Sequence, residues 1–196
     1  MKNSLRRWLG DVALVLIVAE LVLVLLSWLL SAMMTEGVRP LLSSEGIRWF
    51  FSHFTDWMAS PVLVWMLLLS MAYGSLVKSG VQSPHTYRER FALRFALILL
   101  FIYTVLVLVL TLSPHAVLLS ATGRLFPSPF SHAMIPIIAF GVLLLSVTYG
   151  LASGHFRSAS DVLASLSYGV AKSAPLYVLY VLLLQFYKSL CYVFFP

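Results

Sequence analysis

Cysteine, acid and overall charge are the scarce commodities of this 196-residue chain. One cysteine, Cys191, excludes an internal disulfide and a cysteine-rich metal site. Seven acidic residues, and charged residues making up only 10% of the chain, leave too little polar surface for a soluble domain hidden in a loop. The five histidines, His53, His85, His115, His132 and His155, are scattered, with no HExxH and no pair at i, i+4, so a zinc enzyme is excluded. Serine is common, yet no GxSxG elbow and no intramembrane histidine base accompany it, which removes the serine hydrolases and rhomboid-like proteases. We expect no enzyme, no cofactor and no metal.

What is present is apolar. Hydrophobic residues make up 61% of the chain, and the mean hydropathy is +0.96, far above the soluble range. About 20 helical residues cross the roughly 30 Å hydrocarbon core, and five runs qualify: about 12–33, 61–77, 91–112, 134–153 and 174–194. The first follows Lys2, Arg6 and Arg7 as a signal peptide would, but its apolar stretch is too long and its cleavage pattern too poor. The expected fold is therefore an all-α integral membrane protein, one transmembrane domain over 1–196, with five transmembrane helices plus two short interfacial amphipathic helices.

The amphipathic helices occupy two of the connections. Over 45–58, Ile47, Phe50, Phe51, Phe54, Trp57 and Met58 recur at helical spacing opposite Arg48, Ser52, His53 and Asp56. Over 158–171, Ser160 and Asp161 are placed to cap a helix with the stripe Val162, Leu163, Leu166 and Val170. Membrane-surface anchoring accounts for both patterns.

Basic residues orient the spans. Lys2, Arg6, Arg7, Lys78, Arg88, Arg90, Arg94, Arg157 and Lys172 fall on one side, and Arg39, Arg48, Arg124 and Lys188 on the other. The positive-inside rule then puts the N-terminus in the cytoplasm and the C-terminus outside, in a bacterial inner membrane. The net charge of +6 is thus a topology signal, and a nucleic-acid partner is not expected. The lipid bilayer is.

Glu20, well inside the first span, is the best candidate for an ion- or substrate-binding role, because an ionised carboxylate there needs protein, water or a counter-charge. A protonated glutamate at a helix contact explains it as well. Gln185 in the last span is a weaker candidate, since glutamine commonly hydrogen-bonds between helices. Small residues four apart, Ser146, Gly150 and Gly154 in the fourth span and Ser70 with Gly74 in the second, read as grooves for close helix packing. The strings Leu67–Ser70 with Tyr73-Gly74 and Leu143–Ser146 with Tyr149-Gly150 are alike, although leucine-rich spans produce such likeness by chance.

Two blocks carry a family resemblance. Glu45-Gly46-Ile47-Arg48-Trp49-Phe50-Phe51, followed by a span ending in Lys78-Ser79-Gly80, resembles the first helical hairpin of the AbgT-type (aminobenzoyl-glutamate) transporters. Ser128-Pro129-Phe130, Ile135-Pro136-Ile137-Ile138, Tyr149-Gly150, Arg157-Ser158 with Asp161-Val162, and Gln185-Phe186 are similar to the middle of that family. The run His85 to Arg94 resembles the stretch before its fifth helix.

The resemblance implies more than the chain holds. Family members are longer, with nine spanning helices and two re-entrant hairpins, divided into an inner scaffold and an outer transport part. The five spans here match the scaffold and dimer-contact helices, and the segment between Gly80 and His85 is too short for the first hairpin. The expectation is an AbgT-like scaffold acting as an accessory or structural subunit in a homodimer or larger membrane-protein complex. The alternative is an active or split transporter of small organic anions of the aminobenzoyl-glutamate or antimetabolite type.

Overall fold

A computed structural model gives the fold and describes residues 2–34, 37–82, 86–112 and 129–195. His85, His115, Arg124 and Ser128 lie outside the described residues, and of His132 only the backbone is described. Among the described residues six helices follow in order: α1 (Lys2–Ala32), α2 (Ser44–Met58), α3 (Pro61–Ser79), α4 (Tyr87–Leu112), α5 (Pro129–Ser153) and α6 (Ala159–Phe194). Among the described residues there is no strand. Five of the helices, all but α2, are long and apolar enough to cross a membrane.

Helix starts follow local chemistry. Ser43 caps α2 by accepting from the Gly46 amide at 3.0 Å. Thr86 precedes α4, and its amide donates to the Glu89 carboxylate at 3.0 Å, the return half of a capping box. Ser158 opens α6, its amide donating at 3.1 Å to Asp161, whose own amide donates to the Ser158 hydroxyl at 3.4 Å. The cap is therefore Ser158 with Asp161, and the expected role of Ser160 is corrected. Ser160 instead shares a hydroxyl hydrogen bond with Ser158.

A second correction concerns the end of the chain. The expected short helix over 158–171 and span over 174–194 form one helix of 36 residues, with Pro175 inside it. Proline removes one backbone hydrogen bond and disfavours the preceding turn without necessarily ending a helix. Ala171, Lys172, Ser173 and Ala174 before it are no stronger break. At 1.5 Å per residue α6 is about 54 Å long, well beyond the roughly 30 Å it needs to span. The 15 residues of α2 reach only about 22 Å, too short to cross.

The chain divides into two compact units: 1–63 with 174–196, and 64–173. In the first, Leu23, Leu41, Tyr192 and Val193 form a buried cluster, with Val24, Val38, Trp49, Phe186 and Leu190 against it. Its 33–43 connection is held by hydrogen bonds from the Leu41 amide to Ser27 Oγ at 3.3 Å and from the Arg39 amide to the Val193 carbonyl at 3.2 Å. Trp49 brings α2 onto α6 through Tyr192, ring centroids 4.1 Å apart. Ser60 and Tyr180 share a hydroxyl hydrogen bond.

The second unit packs α4 against α5. Ala92 and Ala96 meet the fully buried Tyr149, flanked by Leu93, Leu145 and Ala152. Near Pro136, inside α5, Tyr103 donates its hydroxyl to the Ile137 carbonyl at 3.0 Å. A Cβ on Gly141 would lie 3.3 Å from the Tyr103 ring, so the glycine makes room for that side chain.

Candidate functional site

Helices α1 and α6 bring Glu20 and Gln185 together in the first unit. Glu20 is the thirteenth residue after Arg7 and the twelfth before Ala32 in its span, which puts it near the middle. A serine that the sequence reading passed over completes the group. Ser189 donates its hydroxyl to Glu20 Oε1 at 2.6 Å. Gln185 Nε2 donates to the same oxygen at 3.4 Å and to Ser189 Oγ at 3.2 Å. Gln185 and Ser189 stand four apart on α6, one turn, so their side chains share a face. That spacing was available in the sequence, but serine hydroxyls in helices usually return to their own backbone, and nothing local singles out Ser189.

One side of the cluster is left open chemically. Glu20 Oε2 and Gln185 Oε1 are buried without a hydrogen-bond partner, and each such acceptor in an apolar setting costs about 1–3 kcal/mol. The three side chains line one part of a groove of about 400 Å³, whose other walls are Val24, Leu41, Leu42, Ile47, Phe50, Phe51, Phe54, Val181 and Leu182. The arrangement can hold a proton or a positively charged donor against a carboxylate.

The small residues serve two different purposes. Gly74 of α3 meets Gly169 of α6: a Cβ on Gly74 would stand 2.7 Å from the Gly169 Cα, and one on Gly169 2.8 Å from the Gly74 Cα. Ser70 and Ser165, both buried, border this crossing, since each added Cβ also strikes one of their carbonyls. Two backbones can approach this closely only without side chains between them. Ser165 and Gly169, again four apart, are the matching half that the sequence reading missed.

The α5 set differs. Ser146 is fully buried and donates its hydroxyl to the Val142 carbonyl at 2.7 Å. Gly150 faces Phe156 of its own chain, whose ring an added Cβ would overlap. Gly154 lies beyond the last residue of α5 with φ +89°, a left-handed terminator. The expected continuous stripe is corrected: the chain turns at its third member. The two alike strings also diverge, with Tyr149 fully buried and Tyr73 41% exposed.

Tyr73 belongs to a cationic ladder between α3 and α6. Lys172 donates to its hydroxyl and lies 4.6 Å from its ring centroid, while Lys78 lies 4.6 Å over the Tyr168 ring. Such contacts hold ammonium groups where tyrosine rings carry the apolar side. His53 is tied to Ser52 and the Trp49 carbonyl, and His155 to Ser153. Among the described residues no group of three metal-ligating side chains assembles.

Neither a curated protein nor a solved structure matches the chain. The model of the AbgT putative transporter family matches residues 80–192. That range begins at the Gly80 that closes the first resembling block and takes in α4, α5 and nearly all of α6. Apolar helices of membrane length and a family match over more than half of the sequence agree, and the chain belongs to the AbgT putative transporter family.

Proposed function

We propose that this chain is a membrane scaffold of the AbgT type, an accessory or structural subunit in a homodimer or larger complex of a bacterial inner membrane, N-terminus cytoplasmic and C-terminus outside. One observation carries the reading. Each of the five membrane-length helices runs unbroken, even through Pro136 and Pro175. Secondary transporters bind substrate and ion at half-helix ends and unwound backbone, and the described helices supply neither at mid-membrane. In this reading α2 lies along the outer surface. Purification in mild detergent, with identification of the chains that remain bound, tests it. A stoichiometric partner or a defined homodimer supports the role, and a lone monomer contradicts it.

The Glu20–Gln185–Ser189 cluster favours a second reading, in which the chain, alone or paired with another that supplies hairpins, transports a small organic anion with Glu20 as the coupling group. An intramembrane carboxylate is a common device for that purpose.

A further inference from the structure

The groove beside Glu20 combines two requirements that one ligand can meet. Its walls are apolar and aromatic over Ile47, Phe50, Phe54 and Leu182, and its polar part presents Glu20 and Gln185. Each of these keeps a buried acceptor oxygen with no donor. The 2.6 Å hydrogen bond from Ser189 goes to the other carboxylate oxygen of Glu20, Oε1. An ionised carboxylate in such a setting needs a positive partner, and no lysine, arginine or histidine is among the described residues that line the groove.

Three occupants can be weighed. A proton would satisfy Glu20 Oε2 and leave about 400 Å³ of apolar space unused. A hard metal ion takes about six oxygens, more than these three side chains offer. An ammonium carries the charge and several N–H donors, and an apolar body attached to it fills the rest.

We propose that this groove binds an organic ammonium ion with an apolar chain or ring. Its N–H groups serve Glu20 Oε2 and Gln185 Oε1, and its body lies along Phe50, Phe54 and Leu182. Aromatic faces within reach add attraction for the cation. The site stands independently of whether the chain moves a solute or acts as a scaffold.

The purified full chain in detergent is heated with increasing octylamine, octyltrimethylammonium or octanol. Octylamine is expected to raise the unfolding temperature saturably and further than octanol. The trimethyl compound, which keeps the charge and loses the N–H donors, should bind more weakly. Glu20→Gln retains an acceptor for Ser189 and should weaken octylamine about tenfold or more, the worth of one charge-assisted hydrogen bond. Leu182→Trp fills the groove, leaves the polar groups in place and should also weaken it. Equal shifts from octanol and octylamine, or a full octylamine response in either variant, overturn the proposal. Adding phosphatidylethanolamine to the micelles should leave the octylamine shift in place. Its complete suppression would make a lipid head group the occupant and overturn the small amine.

Discussion

The Ser189 hydroxyl donates to the Glu20 carboxylate at 2.6 Å across 169 positions of sequence, tying the middle of α1 to the last turns of α6. Ser189 is fully buried, so water cannot replace the bond without rearrangement. Ser189→Ala should lower stability by about 1.5–3 kcal/mol, the range for a hydrogen bond to a charged group. Glu20→Gln should cost less, because its amide oxygen can still accept. In a double-mutant cycle of Ser189→Ala with Glu20→Ala, which removes the acceptor, read by thermal unfolding in detergent, the two losses should be clearly less than additive. Additive losses would mean that the two groups do not interact.

Gly169→Ala and Gly74→Ala each place a methyl against the backbone of the facing helix, 2.8 and 2.7 Å from its glycine Cα. Backbone cannot swing aside as a side chain can. Each should destabilise by about 1–3 kcal/mol through overpacking. Gly10→Ala is the control: nothing lies within 4 Å of its added Cβ, and the gain in helix propensity is up to about 1 kcal/mol. Equal unfolding temperatures for the three variants would remove the close crossing.

Gly150→Leu should also destabilise, through Phe156 of the same chain. Removing that ring in Gly150→Leu/Phe156→Ala should recover part of the loss, and the oligomer size in detergent should stay unchanged in both variants. A change of size with Gly150→Leu alone would mean that this position faces a partner.

Orientation is read by labelling in a Cys191→Ser background. Thr55 on α2 and Ser160 on α6 are both exposed. In intact cells an impermeant thiol reagent should modify Thr55→Cys and spare Ser160→Cys. The reverse pattern would invert the charge-based orientation.

The spans were legible because hydropathy over about 20 residues is a strong one-dimensional signal, and α3 starts at Pro61 as expected. Its limit is the break between helices. Lys172-Ser173 reads as a break between two helices, but the backbone continues through it, since continuity is decided by hydrogen bonding along the helix rather than by polarity. Glu20 and Gln185 could be singled out one by one as polar groups in apolar runs. Their meeting could not, because the contact spans 165 positions and depends on how α1 and α6 pack. Ser70 and Gly74 announced a close approach, whereas choosing Gly169 as the partner required the rotation of both helices. Gly154 was misread because a repeat of small residues carries no sign of where the helix stops. Only its φ of +89° separates a terminator from a packing surface.

The scaffold reading is tested most directly by reconstituting the purified chain alone into liposomes and following labelled aminobenzoyl-glutamate, with and without proton and sodium gradients. Uninterrupted helices predict accumulation no greater than in protein-free liposomes under every gradient. Saturable uptake that disappears in Glu20→Gln would contradict the scaffold and make Glu20 the coupling residue of a transporter.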